Sequence, residues 1–580
     1  MPVREVRVSL WRRDWFWGLL LIVFVFVAYA QVFRADFIWD DESHLTQNAC
    51  VIGPLGLREI WTTARAVYYP LVLSTFWTLH KFFGLNPFPY HLLNVLLHAA
   101  SAVLLWRILR LLQIRGAWLG AALWALHPVM VQSVAWITEL KNTQSCLFYL
   151  LSILCFLKWQ NRSEGSAISG FQVERSTGSF SFKGFILSLV FFILATLSKP
   201  SVVMLPFVLA LCIWWMRGKI RWHDMLTLTP FALISALASA WTIWEQKFHS
   251  HAIGPDWSQT FSERLIIASK AMWFYLGKLA WPHPLIFIYP RWSLDSSSVV
   301  AYLPLLAALA VLVALLLIQA KRSRALFFAA AYYFASLFPV LGIFTVFFFR
   351  YSFVSDHFQY LASMGPLALA GAGIAVLVQR FCVAPSKLAA GTDALQFPGN
   401  NIAVARSKML SGCALCSVLL LILIFLTWRQ TAEYRDLVTL YTATLENNPT
   451  CWLAHNNLGI VLLQRGRTSE ALDHYEQALR INPDYAEAHN NLGNVLLRTG
   501  RTLEAIDQYK QALRINPNIA MLHSNLGAAL GKMGRIPEAI EQLNAALRID
   551  PNYIDAQNIL TKLEAVQKRY QLRLSVESEK

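Results

Sequence analysis

The sequence predicts an all-α protein in two parts, a polytopic membrane helix bundle followed by a superhelix of short helical repeats. Of the 580 residues, 56% are hydrophobic and only 14% are charged, whereas soluble proteins carry roughly 25% charged residues. Apolar runs of membrane length recur up to Trp428, and beyond it a 34-residue period begins. We therefore predict a membrane domain over 1–428 and a repeat domain over 429–580.

The formal net charge of +16 is distributed as expected for a polytopic membrane protein. Basic residues fall in short groups between apolar runs, and the clearest groups are Arg107, Arg110 and Arg115, then Arg217, Lys219 and Arg221. Such groups mark cytoplasmic loops under the positive-inside rule. Because they form no basic face on a soluble domain, nucleic-acid binding is not expected.

We predict about eleven membrane spans. The first, about 15–33, follows Arg4, Arg7 and Arg12, and we interpret it as a retained anchor with a cytoplasmic N-terminus. The others are roughly 91–111, 117–130, 143–158, 184–197, 201–216, 225–244, 300–319, 325–347, 359–379 and 409–427. The stretch 265–282 is interpreted as an interfacial helix. An odd count places the repeats outside, on the same side as the segment after the first span.

That segment contains three consecutive acids, Asp40, Asp41 and Glu42. A carboxylate triplet is too costly to lie in lipid, so it belongs at the membrane face. Three carboxylates could also hold a divalent metal ion through oxygen ligands, and this alternative stays open.

Other ionisable residues are predicted at the same face, at or beside the ends of spans. They are Glu139, Lys141, Lys199, Arg350, Asp356 and His357. Singly, each is explained by snorkelling of its side chain to the interface. Snorkelling does not explain why they gather on the acidic side, so together they indicate a shared site.

Two histidines, His91 and His98, lie seven residues apart and therefore on one helix face. Imidazoles and carboxylates could converge on a metal ion, but no HExxH or comparable spacing is present. Hydrogen bonds between packed helices are the favoured interpretation.

The tail has a regular repeat. Pro449, Pro483, Pro517 and Pro551 are spaced 34 residues apart, and an Asn-Leu-Gly triplet recurs with the same period. This is the tetratricopeptide pattern, in which Tyr475 and Tyr509 are expected to fill the gap between paired helices. We predict repeats at 452–485, 486–519 and 520–553 and a capping helix at 554–570, enough for a stacked solenoid.

The triplets place Asn457, Asn491 and Asn525 at one position of each first helix, which normally lines the concave groove. An amide both donates and accepts, so such a ladder can grip a peptide backbone. It resembles the asparagine ladder in the repeats of O-linked N-acetylglucosamine transferase. The alternative, equally open, is that these amides only bond neighbouring helices.

A series of motifs in the membrane half carries a wider resemblance. It comprises Asp40-Asp41, Thr46-Gln47-Asn48, Gly56-Leu57-Arg58, Tyr69-Pro70-Leu71, Gly84-Leu85-Asn86-Pro87, Tyr90-His91-Leu92-Leu93-Asn94, His98, His127-Pro128, Ser133-Val134-Ala135-Trp136 and Lys141-Asn142. In order and content the series resembles the transmembrane and tetratricopeptide-repeat-containing proteins and their bacterial relatives. These belong with the protein O-mannosyltransferases in the GT-C glycosyltransferase superfamily. One departure is Gln132, where the resembled proteins generally have Glu.

The resemblance implies a GT-C-like bundle and an inverting O-glycosyltransferase. Its donor would be a sugar, mannose above all, on a polyprenyl phosphate, and its acceptor a polypeptide captured by the repeats. By resemblance Asp41, with Asp40 second, would be the base. Candidates for binding the substrate and its phosphate are Lys141, Lys199, Arg350, His357, Glu139 and His91.

The alternative is a non-catalytic, membrane-anchored repeat scaffold for extracytoplasmic assembly. An anchor needs only one span, however, and no acids and cations gathered on one face. A transporter would show ionisable residues within spans and an internal repeat, and neither is clear. The motifs favour a bacterial inner membrane with periplasmic repeats, or a lumenal tail in the endoplasmic reticulum of a eukaryote.

Overall fold

The structure, a computed structural model, describes residues 13–62, 69–163, 179–248, 250, 252, 254–321, 323–383 and 400–578. Within these ranges the chain is helical and has no β-strand. It divides into two compact units, one up to Asp436 and one from Leu437 onward. The predicted all-α class is confirmed. Arg4, Arg7 and Arg12 lie outside the described ranges.

The first unit is built from helices of unequal length. They are α1 (Asp14–Ala28), α2 (Gly56–Thr62), α3 (Pro70–Phe83), α4 (Pro87–Leu111), α5 (Ala117–Ala125), α6 (Val131–Ala135), α7 (Leu140–Ser163), α8 (Ser179–Ser198), α9 (Leu205–Arg217), α10 (Trp222–Phe248), α11 (Phe261–Ala280), α12 (Leu303–Lys321), α13 (Ala325–Leu337), α14 (Met364–Val383) and α15 (Asn400–Thr431). The helix α15 runs past Trp428, so the two units meet a few residues after the boundary predicted from composition.

Six segments of the described chain are long and apolar enough to cross a membrane. They are Pro87–Leu111, Ile137–Asn161, Pro200–Arg217, Trp222–Phe248, Val299–Gln319 and Ser411–Tyr434. Ala117–Ala125 and Pro128–Ala135 together give a seventh, bent by 53°. Shorter apolar helices cover Asp14–Ala28, Phe182–Ser198, Ala325–Val340 and Met364–Arg380. The predicted count of eleven is not confirmed, because these shorter helices fall below or at the limit of about 17 residues that a crossing needs.

Small residues and hydroxyl groups hold the bundle together. The helices α5 and α14 approach so closely at Gly120 and Gly371 that a Cβ on Gly371 would lie 2.5 Å from the Gly120 nitrogen. Between α7 and α8, the Ser152 hydroxyl donates to the Ser188 carbonyl at 2.8 Å, and Ser188 returns the bond. Close packing and interhelical hydrogen bonds of this kind associate helices in lipid, where apolar burial provides little driving force.

The second unit consists of helix pairs followed by one long helix. Its helices are α16 (Leu437–Asn447), α17 (Trp452–Gln464), α18 (Thr468–Ile481), α19 (Ala486–Arg498), α20 (Thr502–Ile515), α21 (Ala520–Lys532), α22 (Ile536–Ile549) and α23 (Ile554–Ser578). The predicted repeats coincide with the pairs α17–α18, α19–α20 and α21–α22, and α23 extends beyond the predicted capping helix.

Tyrosines fill the gap between paired helices, as predicted. A Cβ at Gly459 would lie 2.8 Å from the Tyr475 ring, and one at Gly493 would lie 2.7 Å from the Tyr509 ring. These glycines are therefore required by close approach of a large side chain, and not by backbone conformation.

Candidate functional site

The two aspartates follow a strained residue. Trp39 has a φ of 43°, a left-handed conformation that costs a bulky residue on the order of 1–3 kcal/mol. Its ring stacks on Trp136 at a centroid distance of 5.3 Å and contacts Phe287 edge-on at 5.0 Å. These aromatic contacts offset the strain and fix the direction in which the chain enters Asp40.

Asp41 is fully buried and hydrogen-bonded on both oxygens. Its Oδ2 accepts from the Ile38 backbone N–H at 2.8 Å, and its Oδ1 accepts from the backbone N–H of Thr138 at 2.8 Å and from the Thr138 hydroxyl. Burial raises the pKa of the Asp41 carboxyl to about 7, and these hydrogen bonds work against that rise. Asp41 therefore fastens the first loop to the segment before α7, 97 residues further along the chain.

Asp40 is placed differently. It is half-buried, and in the described part of the chain no donor bonds its carboxylate; its backbone carbonyl instead accepts from His44 Nδ1 at 3.0 Å. His44 lies within electrostatic range of Asp40, Lys141 and Glu139, and burial lowers its pKa. Of the two aspartates, Asp40 is thus the one whose carboxylate oxygens remain available to a ligand.

A buried carboxylate between two lysines lies directly after Thr138. Glu139 is fully buried, with Oε1 2.9 Å from Lys141 Nζ and Oε2 3.3 Å from Lys199 Nζ. Burial lowers the pKa of the Lys199 ammonium to about 8, and the charge of Glu139 limits that decrease. Two ammonium groups share one carboxylate, so the cluster carries a net positive charge at neutral pH.

Amide side chains link this cluster to the loop before α14. Asn142 accepts from Lys199 Nζ at 2.8 Å and donates to the His357 carbonyl at 3.0 Å. Gln132 donates to the Phe287 carbonyl at 3.2 Å and accepts from the His357 backbone N–H at 2.9 Å. A glutamate at 132 could not donate, so the amide suits this position and the departure from the resembled motif has a structural reason.

His357 joins the cluster, but not as a cation. Burial lowers the pKa of its imidazole to about 3, and its Nδ1 lies 2.7 Å from the Ser355 hydroxyl. A neutral imidazole carries no positive charge. His357 is therefore able to form an ordinary hydrogen bond with a phosphate, and not the charge-assisted one expected from the sequence. Beside it, Asp356 is buried and accepts from the Tyr289 hydroxyl at 3.0 Å, and burial raises its pKa to about 7.

Two predicted site residues lie in other surroundings. Arg350 forms an ion pair with Asp256, Nε to Oδ2 3.4 Å. His91 is buried in α4 near the backbone carbonyls of Ala35 and Asp36, and among the described residues neither of its ring nitrogens has a hydrogen-bond partner. The hydrogen bond between packed helices that was expected from the sequence is therefore not seen at His91.

The related histidine His98 serves helix packing. Its Nε2 lies 2.9 Å from the Ala125 carbonyl, an acceptor only, so this nitrogen donates. The other nitrogen, Nδ1, is then left to accept from the Tyr360 hydroxyl at 2.7 Å.

The acid triplet fits a metal ion poorly. Both oxygens of Asp41 are occupied by donors, and Glu42 is exposed. Among the residues that the structure describes, no group of three or more His, Cys, Asp or Glu side chains is arranged to hold a metal.

In the repeats, the amide N–H groups of the asparagine ladder already donate hydrogen bonds to other side chains of the same domain. The Nδ2 of Asn457 donates to the Tyr441 hydroxyl at 3.1 Å, that of Asn491 to Asn456 at 3.0 Å and that of Asn525 to Asn490 at 2.8 Å. The amide donors therefore bond neighbouring helices, which was one of the two interpretations. Within the described residues the Oδ1 atoms of Asn491 and Asn525 accept no hydrogen bond, and only this acceptor remains for a peptide.

Sequence reasoning missed two parts of this site, Thr138 and the Trp39–Trp136 stack, and it named Asn142 without its role in linking Lys199 to the His357 backbone. A weak signal was present, since Trp39 immediately precedes the aspartates and Trp136 and Thr138 flank Ile137 just before Glu139. Nothing in the sequence pairs these two segments.

Comparison with known proteins bears on both units. The tetratricopeptide repeat family model matches residues 451–518 and 484–552, so the tail is a tetratricopeptide-repeat domain. Among solved structures, the tail is similar to YrrB, described as a TPR protein with an unusual peptide-binding site. Identity is 25%, coverage is 23% of this chain and 68% of that one, and the TM-score of 0.21 supports no functional argument.

Relatives with curated names are protein O-mannosyl-transferases. TMTC2 of Mus musculus is 33% identical over 143 residues, 22% of this chain and 17% of its own length. A protein O-mannosyl-transferase of Caenorhabditis elegans is 24% identical over 482 residues, 79% of this chain and 62% of its own. The chain is homologous to these proteins at low identity and spans less than two thirds of their length.

Proposed function

We propose that this chain is a membrane glycosyltransferase that moves a sugar from a polyprenyl-phosphate donor to a hydroxyl group of a polypeptide, with inversion at the anomeric carbon. The names of its homologues support a membrane O-mannosyltransferase and hence mannose as the sugar. The donor lipid and the inversion come from the GT-C resemblance and are part of the proposal.

The observation that carries the proposal is the pairing of an available carboxylate with a positively charged cluster. Thr138 binds Asp41 through its backbone and side chain, and the next residue, Glu139, bonds Lys141 and Lys199. This short segment thus links Asp41, and through it the adjacent proposed base Asp40, to the cations. Sugar transfer from a phosphate needs this combination, a proton acceptor and positive charge for the leaving oxygen.

In the proposed step, the acceptor hydroxyl oxygen attacks the anomeric carbon and its proton passes to a carboxylate. The bond from the anomeric carbon to the phosphate oxygen breaks on the opposite face, and the phosphate leaves with the electron pair. Lys141 and Lys199 stabilise that phosphate by charge-assisted hydrogen bonds. The resemblance ranked Asp41 before Asp40 as the base, but Asp41 is buried and hydrogen-bonded on both oxygens. We therefore assign proton acceptance to Asp40, while Asp41 holds the loop.

The repeats would bring the polypeptide acceptor. The free amide oxygens of Asn491 and Asn525 are suited to accept from backbone N–H groups, which favours extended segments of any sequence. Acceptor, membrane lipid and lipid-linked sugar are then the partners. The proposal keeps the predicted location, a bacterial inner membrane with periplasmic repeats or the endoplasmic reticulum with lumenal repeats.

The test is transfer of labelled mannose from mannosyl polyprenyl phosphate to a Ser/Thr-containing peptide by purified protein. Asp40→Asn should lower transfer by about 10²–10⁴-fold, the range for losing a general base, without changing the melting temperature. Asp41→Asn should lower both transfer and the melting temperature, because an amide cannot accept from all three donors that surround Asp41. Asp36→Asn, an exposed acid four residues before Asp40, is the matched control and should behave as wild type.

Full transfer by Asp40→Asn would remove the proposed base. Absence of any sugar release or transfer by the wild-type protein would favour the scaffold alternative. The anomeric configuration of the product, opposite to that of the donor, tests inversion separately. Asn491→Ala and Asn525→Ala should raise KM for the peptide and leave kcat unchanged.

A further inference from the structure

The first unit contains an apolar cavity, open on one side, that is separate from the site described above. It has a volume of about 360 Å³ and lies between α4, α7, α9, α13 and α14. Its walls include Leu109, Cys212 and Ala329. On α4, α7 and α9 these walls belong to the parts of the helices remote from Glu139 and Lys199, so the cavity faces the opposite end of the bundle.

The depth of the cavity matches one leaflet of a membrane. Along α14 its lining runs from Met364 to Val376, which spans about 18 Å at 1.5 Å per residue. Half of the hydrocarbon core of a bilayer is about 15 Å thick. The cavity is thus about as deep as one leaflet, which is the length of one extended acyl chain.

Apart from Tyr332, whose hydroxyl donates to the Leu361 carbonyl, the polar residues of the cavity wall lie where the cavity reaches the protein surface. Gln113, Arg115 and Ser323 line it there, and Arg115 is exposed. Arg324 lies at the same end, with its guanidinium 5.6 Å from the Trp214 ring centroid. An apolar cavity does not retain water, and basic residues at a membrane surface attract anionic headgroups.

We propose that this cavity binds one acyl chain of an anionic phospholipid from the leaflet opposite the candidate active site, with the headgroup held by Arg115. The site is independent of sugar transfer. A hydrocarbon chain supplies the contacts that the apolar walls lack, and the arginine selects the charge of the headgroup. The bound lipid would act as a structural ligand that fills the gap between the five helices.

The proposal is tested by photolabelling the full chain in bilayers. The bilayers contain equal amounts of phosphatidylglycerol and phosphatidylcholine, each in turn carrying a diazirine in its acyl chain, and adducts are located by peptide mass spectrometry. Cys212, buried at the cavity wall, should be labelled mainly by phosphatidylglycerol, about fivefold over phosphatidylcholine. The lipid-exposed helix α12 should be labelled equally by both.

Two variants separate the chain contact from the headgroup contact. Ala372→Trp fills the cavity and should abolish labelling of Cys212, whereas Ala370→Trp, the same change at an exposed position of α14, should not. Arg115→Gln should keep the labelling and remove the preference for phosphatidylglycerol. Because Arg115 is exposed, that variant tests the proposal even if Ala372→Trp does not fold.

The proposal is overturned if α12 is labelled and Cys212 is not, or if both tryptophan variants label alike. It is also overturned if the lipid that copurifies with the wild-type protein and protects Cys212 is a polyprenyl phosphate, which would assign the cavity to the donor.

Discussion

The buried carboxylate Glu139 offers a sharp test of the charge cluster. It is fully buried and lies 2.9 Å from Lys141 Nζ and 3.3 Å from Lys199 Nζ. Glu139→Gln keeps the shape and removes the negative charge between two ammonium groups. Removing one partner of a buried pair costs about 3–5 kcal/mol. For a unit of this size one kcal/mol corresponds to about 1–2 °C, so the melting temperature should fall by roughly 3–10 °C at neutral pH.

The pH dependence of the melting temperature shows whether the lysine charges cause this loss of stability. Burial lowers the pKa of Lys199 to about 8, from an ordinary value of 10.5, and Glu139 limits the decrease. In Glu139→Gln that pKa falls further below 8. A lysine whose pKa is lowered on folding destabilises the fold fully at pH below its folded pKa, and the effect disappears as the pH approaches its unfolded value. The difference in melting temperature between the wild type and Glu139→Gln should therefore be largest at pH 6.5 and much smaller at pH 9.5.

The assay is thermal unfolding of the purified full chain in detergent at both pH values. Glu42→Gln, at an exposed position of the first loop, is the control and should melt with the wild type. A melting temperature for Glu139→Gln within about 1 °C of wild type at pH 6.5 would refute the buried-pair reasoning. An equal deficit at pH 6.5 and 9.5 would refute the assignment to the lysines.

Three further predictions address the repeats and the acid triplet. His455 and His474 face each other with Nδ1 atoms 2.9 Å apart, and burial lowers the pKa of both. At His474 the negative charges of Glu470 and Asp473 oppose the decrease in pKa, and the positive charge of Arg467 adds to it. The first repeat should thus lose stability as the pH falls below about 6.5, since protonating both rings breaks their contact. Hydrogen exchange of the full chain at pH 7.5 and 5.5 checks this, and His474→Gln, which reproduces the His–Gln pairs of the later repeats, should remove the sensitivity. Gly493→Ala should destabilise its repeat by about 1–3 kcal/mol through overpacking, while Gly277→Ala, where a Cβ meets open space, should not lower the melting temperature. Chelation of divalent cations should leave transfer unchanged, because donors occupy both oxygens of Asp41; loss of activity restored by Mn²⁺ would contradict this.

The tail was predictable because its contacts are local. The first repeat packs Gly459 against Tyr475, sixteen positions away, and the same pair recurs one repeat later as Gly493 and Tyr509. Periodicity in the sequence therefore reports the packing directly. The membrane half is less regular. The helix α1 covers only Asp14–Ala28, and the chain bends by 53° near His127-Pro128, so an apolar run does not by itself define a straight crossing.

The site was predictable in composition and not in connectivity. The acids and cations were recognisable because ionisable residues are rare beside apolar runs. What joins them is tertiary: Asp41 meets Thr138 across 97 positions, and Lys199 meets Glu139 across 60. The charge state of His357 was also out of reach, since its low pKa is a consequence of burial in the folded chain.

The two aspartates illustrate the limit most clearly. As neighbours in the sequence they are chemically identical, and the resemblance ranked Asp41 first. In the fold only one of them can point inward, because adjacent side chains project in different directions from the backbone. The left-handed conformation of Trp39, held by its stack on Trp136, sets which one that is. Thr138 then fixes Asp41, and Asp40 keeps its oxygens available. The strain at Trp39 thus lies where it determines the orientation of the proposed base, as expected for strain retained at a functional site.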